Sequence, residues 1–276
     1  MSFKDLLVIA DNDRTYAARL DIALALADQH RAHLTGLHVM PLPTTPIYGG
    51  MPIPETVEKM QRLELEDAAR RAAAVFAERA GRTTVSAEWR VAEGDIVRVT
   101  SEHARYADLT VLPQDMDLGF ASADLAKLPE ELALRVGRPV LVIPRYGSFS
   151  KVGGRVLVAW NGSREATRAV HDALPLLRRA EKVTVLSIDP DEDAEPRLPG
   201  ADVSLHLARH GVTAQAATIA GTDVAVGDLL LSYAADHDID LIVMGAYGHT
   251  RLRELVLGGA TRTLLRHMTV PVFMSH

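Results

Sequence analysis

The 276-residue sequence contains no cysteine. That excludes disulfides, thiolate metal sites and a cysteine nucleophile, and nothing in the chain calls for an oxidising compartment. Long apolar runs are also missing. No stretch approaches the ~18 apolar residues needed to cross a bilayer. The run Leu6-Leu7-Val8-Ile9-Ala10 near the start is too short for the core of a signal peptide. A soluble, cytoplasmic protein is expected, with no membrane partner. Nor is there an excess of positive charge. Thirty Lys and Arg face 36 Asp and Glu, for a net charge of −6. The imbalance is shared, with 17 basic and 21 acidic residues in 1–150 and 13 and 15 in 151–276. Neither half has the basic surface that phosphate neutralisation requires, so no nucleic-acid partner is expected. Hydrophobic residues at 47% and charged residues at 24% exclude disorder and collagen-like repeats.

What the chain does contain is a copy of itself. Leu6-Leu7-Val8-Ile9-Ala10-Asp11 resembles Val156-Leu157-Val158-Ala159-Trp160-Asn161 at an offset of 150. Asp108-Leu109-Thr110-Val111-Leu112 resembles Asp240-Leu241-Ile242-Val243-Met244, and Pro139-Val140-Leu141-Val142 resembles Pro271-Val272-Phe273-Met274, both at 132. Three apolar runs recurring in order indicate duplication. The first copy is 18 residues longer, and the Gly/Ser-rich stretch 147–154 marks the joint.

Within each copy, short apolar strands alternate with helical patterns. In the first, strands are expected at 6–10, 33–39, 84–91, 109–112 and 140–143, with helices at 14–29, 55–80, 95–106 and 124–136. Ala17, Leu20, Leu24 and Ala27 give the first helix its apolar face, and Val57, Met60 and Leu63 lead that of the second. The second copy repeats the order, with strands at 155–160, 183–188, 213–219, 241–244 and 270–274 and helices at 164–179, 198–210, 224–236 and 259–267. This alternation predicts an α/β fold of two tandem doubly wound domains, each a five-stranded parallel sheet with helices on both faces. The domains are placed at 1–147 and 153–276. The Pro-rich segment 41–54 reads as a tolerated surface insertion.

In open α/β sheets ligands bind beyond the carboxyl ends of the strands. After the fourth strand of the second copy stands Gly245-Ala246-Tyr247-Gly248. After nine intervening residues, Gly258-Gly259-Ala260-Thr261 opens a helix. Glycines allow close backbone approach, and a helix N-terminus attracts an anion. This Gly-x-x-Gly-x9-Gly loop resembles the ATP loop of universal stress proteins, and both Val156–Ser163 and 240–245 resemble that family's first and fourth strands. The resemblance covers essentially the whole chain as two such domains. It implies a five-stranded parallel fold, pairing through the last strand and ATP binding by some members, with no established catalytic reaction. It further implies that Gly245 and Gly248 wrap ribose and phosphates, that Gly258, Gly259 and Thr261 form the phosphate site, that Ala159, Trp160 and Asn161 hold base and ribose, and that Ile188 lines the adenine pocket; Met244, Ala246, His249 and Ala260, their chain neighbours, complete the candidate nucleotide-binding set, with plain loop exposure the alternative for His249 and packing the alternative for Trp160. The chain departs from the family in having Gly259 where Ser or Thr is usual and Asn161 where an acid is common. In the first copy Pro113, Met116, Ala126, Lys127 and Pro129 stand at the loop positions, so no glycine remains there and Pro113 has no N–H to donate.

Other constellations read more plainly. His206 and His210 sit at i, i+4, a metal-pair spacing, but no third ligand is evident in sequence, and a solvated helix face fits them. Asp189, Asp191, Glu192, Asp193 and Glu195 could carry Mg2+ beside a nucleotide, and read better as a solvated acidic loop. Ser163 reads as a helix N-cap rather than a nucleophile. The expectation is an ATP-binding regulatory protein, the cofactor being ATP with Mg2+ as its companion ion, held mainly by the second copy. No catalytic constellation and no protein metal site are expected. The two copies are expected to pair through 140–143 and 270–274, and a homodimer is open. The alternatives are an interaction scaffold without nucleotide, or a weak ATP hydrolase.

Overall fold

The computed structural model describes residues 2–42, 55–116, 128–189, 200–220, 224–246 and 259–276. The first half runs β1 (Asp5–Ala10), α1 (Tyr16–His30), β2 (His33–Met40), α2 (Glu55–Ala80), β3 (Ala87–Glu93), α3 (Ile96–Ala104), β4 (Leu109–Pro113), α4 (Leu128–Arg135) and β5 (Val140–Ile143). The second repeats it as β6 (Arg155–Ala159), α5 (Arg164–Leu177), β7 (Lys182–Asp189), α6 (Ala201–Arg209), β8 (Ala214–Ala220), α7 (Val226–Asp236), β9 (Leu241–Gly245), α8 (Gly259–His267) and β10 (Val272–Ser275).

The strands form one ten-stranded sheet in the order β3-β2-β1-β4-β5-β10-β9-β6-β7-β8. Every pairing is parallel except β5 with β10. That antiparallel pair joins the halves, as expected for the last strand of each copy. Leu141 faces Phe273, flanked by Val142 with Val272 and Val140 with Met274. Leu141 and Phe273 are equivalent in the two copies, so a local two-fold axis passes between them. The inner strands are apolar on both faces because helices cover both sides. One core layer joins Leu6, Val8, Val156 and Val158 to α1 and α5, and the other joins Leu7, Ile9, Leu157 and Ile242 to α4 and α8.

The duplication extends to polar detail. Asp108 Oδ2 accepts from the N–H groups of Lys4 (2.7 Å) and Asp5 (3.2 Å). Its counterpart Asp240 accepts from Gly153 (2.9 Å), Gly154 (3.0 Å) and Arg155 (3.1 Å). Each carboxylate fastens the segment entering the first strand of its half to the turn before the fourth. Asp240 thereby fixes the Gly-rich joint.

One helix departs from expectation. Val57, Met60 and Leu63 do not lead a buried face of α2; they are 39%, 70% and 51% exposed. Burial begins further along, at Ala69, Ala72 and Phe76. Phe76 packs where Gly36 lacks a side chain, since a Cβ there would lie 2.5 Å from its ring. The long helix meets the sheet through its second half alone. Of the segment 41–54, only 41 and 42 fall within the described residues.

Candidate functional site

Strands β6 and β9 are neighbours, yet the helices that follow them leave to opposite faces. Ala169, Val170, Ala173, Leu176 and Leu177 of α5 pack in one layer, and Leu264 and Leu265 of α8 in the other. A crevice opens where such connections diverge, outside the carboxyl ends of the strands. Ala159 ends β6 and Met244-Gly245 ends β9 at this crevice. Gly259, Ala260 and Thr261 form the first turn of α8, with Gly259 exposed and Thr261 buried. Among the described residues, a Cβ on Gly259 would meet nothing closer than the Thr263 hydroxyl at 3.9 Å. Gly248, His249 and Gly258 lie outside the described residues, as do all members of the acidic loop except Asp189.

The remaining residues divide between the two faces of the sheet. Ala159, Ile188, Met244 and Ala246 pack into the layer of α7 and α8. Trp160 turns the other way and packs between α5 and α6 with Thr167, Val170 and Val203. Its ring is therefore not brought together with Ile188. Asn161 is exposed, and its Oδ1 accepts from Ser163 N–H (3.1 Å). Ser163 in turn caps α5, its Oγ accepting from Ala166 N–H (3.1 Å).

Gly245 has a packing reason to be glycine. A Cβ there would lie 2.5 Å from both Ala166 N and Glu165 C, so only glycine lets the first turn of α5 seat on the end of β9. That seating brings in two groups that no pattern in the sequence signals. Glu165 is buried at this turn. Burial opposes its charge, but its own N–H, Arg164 and His276 prevail and hold the carboxyl below the usual range. His276 Nδ1 is 2.8 Å from the Ala246 carbonyl. Only the fold brings 165, 246 and 276 together.

The first half builds the matching crevice between β1 and β4 and fills it. Asp11 and Arg19 are both buried and form an ion pair of 2.9 Å. Arg19 also donates to the Ile9 carbonyl (3.1 Å), and Asp11 accepts from Asp13 N–H (3.2 Å). Burial pushes the Asp11 carboxyl up against the downward pull of Arg19. His38, also buried, places Nδ1 3.1 Å from the Ala10 carbonyl. Met116 is buried where the second half has Gly248. Gln114 bridges the halves, donating to the carbonyls of Leu265 (2.7 Å) and Arg266 (3.1 Å) at the end of α8.

Comparison with known proteins bears on the second half. Residues 154–276 match the model of the Universal stress protein family, so the C-terminal part of the chain is a domain of that family. Universal stress protein Slr1230 of Synechocystis sp. is 29% identical over 157 residues, covering 55% of this chain and 52% of that protein. The match thus spans about half the length of that relative. A universal stress protein of Archaeoglobus fulgidus DSM 4304 superposes with a TM-score of 0.75 at 17% identity, over 98% of this chain and 95% of that one. A putative universal stress protein of Pseudomonas aeruginosa UCBPP-PA14 does so with a TM-score of 0.61 at 16% identity, over 99% and 93%. At such identities the likeness shows the fold. Among the described residues no helix is long and apolar enough to cross a membrane.

Proposed function

We propose that the chain is a cytoplasmic regulatory protein of two universal stress protein domains, 1–147 and 153–276, that takes one adenine nucleotide, ATP with Mg2+, in the second. The observation that carries this reading is that α5 and α8 leave the neighbouring strands β6 and β9 to opposite faces of the sheet, the arrangement that makes a switch point beyond the strand ends. The N–H groups of a helix's first turn attract phosphate, and the glycines that the sequence places at 245, 248 and 258 suit a close backbone approach. No catalytic role is assigned to any residue. Calorimetric titration with MgATP tests the proposal. One site per chain is expected, with Gly248→Val abolishing it in a folded variant. Two sites would place nucleotide in both halves.

A second reading is favoured by the filled crevice of the first half: an interaction scaffold that needs no nucleotide. Absence of any saturable ATP binding would support it. Steady-state phosphate release would instead point to a hydrolase.

A further inference from the structure

Where the Gly-rich joint passes from the first half to the second, it borders a cavity of about 480 Å³. That size is usual for a small-molecule pocket, and such pockets favour domain interfaces. Its apolar lining comes from three elements: Ile22 and Leu26 of α1, Leu176 of α5, and Phe149 and Val152 of the joint. Ile22, Leu26 and Leu176 are buried, and Phe149 and Val152 pack on the same core layer. Gly153 and Gly154 also line the cavity, and they are the two glycines whose N–H groups Asp240 holds at 2.9 and 3.0 Å. That side is fixed before any ligand arrives, which lowers the cost of binding. Three charged side chains complete the lining: Arg179, Lys151 and Glu181. Lys151 and Glu181 face each other at 3.8 Å and are both largely exposed, a loose pair that contributes little. Arg178 is engaged, its Nε donating to the His210 carbonyl (2.8 Å). Among the described residues the Arg179 guanidinium has no hydrogen-bond or ion-pair partner.

We propose that this cavity is a binding site for a small amphipathic carboxylate. The apolar body of the ligand lies against Phe149, Leu26 and Leu176, and its anion pairs with Arg179. A guanidinium fork matches a carboxylate with two parallel hydrogen bonds, and an exposed arginine that no acid engages is free to make them. Lys151 and Glu181 offset each other, so one positive charge is left over, which suits a monoanion. Gln29 stands in the same lining with a further amide donor. A ligand seated here touches α1 of the first half, the joint and α5 of the second, and so clasps the two halves together. The place is separate from the candidate nucleotide crevice. Gly153 and Gly154 precede β6 and Glu181 precedes β7, so in the second half the cavity lies at the N-terminal ends of the strands, whereas that crevice lies beyond their carboxyl ends.

The inference does not rest on nucleotide binding, and its test uses the full tag-free chain without nucleotide. Octanoate serves as the probe, with octanamide as its uncharged counterpart of equal length. Calorimetric titration should show one saturable octanoate site per chain, and octanamide should bind at least ~10-fold more weakly. Octanoate should also raise the melting temperature, since it binds the folded chain alone. Arg179→Gln should weaken octanoate by at least ~10-fold and leave octanamide unchanged. Ala25→Trp, which fills the cavity from an exposed position on α1, should abolish both. If Ala25→Trp does not fold, Arg179→Gln decides, because Arg179 is exposed. No saturable octanoate binding, equal affinity for octanamide, or unchanged octanoate affinity in Arg179→Gln would overturn the proposal.

Discussion

At the end of β1 the chain carries Asp11 with Arg19 behind it; at the matching end of β6 it carries Asn161 with Ala169 behind it. At the ends of the fourth strands, Pro113 answers Gly245. These few exchanges give one fold two different crevices. In the first half a guanidinium and a carboxylate, both buried, occupy the interior under α1. In the second the amide stays at the surface, and α5 seats closely on β9, more extensively than α1 on β4. A proline at 113 keeps a side chain where Gly245 has none. A doubly wound sheet can thus close its switch point with its own ion pair or leave the rim to glycine and a helix N-terminus.

The sharpest way to break this comparison is to remove the internal plug. Arg19→Ala leaves the Asp11 carboxylate buried and unpaired, which should cost ~3–5 kcal/mol in urea unfolding. Pairing Asp11→Asn with Arg19→Leu, an apolar answer that follows the second half, should recover most of it. No recovery would mean that the ion pair itself, rather than the avoidance of a lone charge, holds the crevice shut. Next in size is Gly245→Ala. Its Cβ would collide with backbone of α5 rather than with a yielding side chain, for an expected loss of ~3 kcal/mol. Pro113→Ala in the first half should cost under ~1 kcal/mol. Equal effects would show that the two strand ends are not packed differently.

An effect smaller than that of Gly245→Ala concerns His30, whose place in the second half is taken by Ala180. His30 packs against Phe3, with ring centroids 4.9 Å apart. Burial, with a lesser contribution from Arg179, pushes its pKa down to about 4. A histidine lowered on folding contributes stability that is whole above its unfolded value near 6.5 and is lost as pH falls toward 4. By pH 5 the loss should be about 2 kcal/mol. His30→Leu should shrink the difference between melts at pH 7 and pH 5 by that amount, and an unchanged difference would assign the acid sensitivity elsewhere.

Much of the architecture is legible in the sequence because inner parallel strands are apolar on both faces and short, and because the repeat doubles every signal. Ser163 is legible as a cap because Asn-Gly-Ser before a helix has a local mechanism. What escapes shares one cause. Arg19 sits beside Leu20 in a helix whose face is read from its apolar residues, and a charged residue in such a pattern reads as exposed. Its burial depends on Asp11 in another element. His171 is far from His206 in sequence and meets it, with ring centroids 5.1 Å apart, only when α5 and α6 pack. Val57, Met60 and Leu63 have helical spacing, but periodicity gives the direction of a face and not how far the sheet extends beneath it. Trp160 does stand at the expected strand end, yet strand alternation sends its ring to the face opposite Ile188.

The pairing of β5 with β10 also sets a timetable. The middle of the sheet is built from the last strand of each half, and β10 follows β5 only after all other strands have been made. During synthesis, the first half can complete its five strands with Val140, Leu141 and Val142 facing no neighbour on one side. That bare apolar edge is a template for any passing strand. The nascent chain must therefore carry its most adhesive surface through the translation of the whole second half. A ribosome stalled before Val272 should hold a product prone to pair with its own kind, a hazard that ends when the final strand slides into the centre.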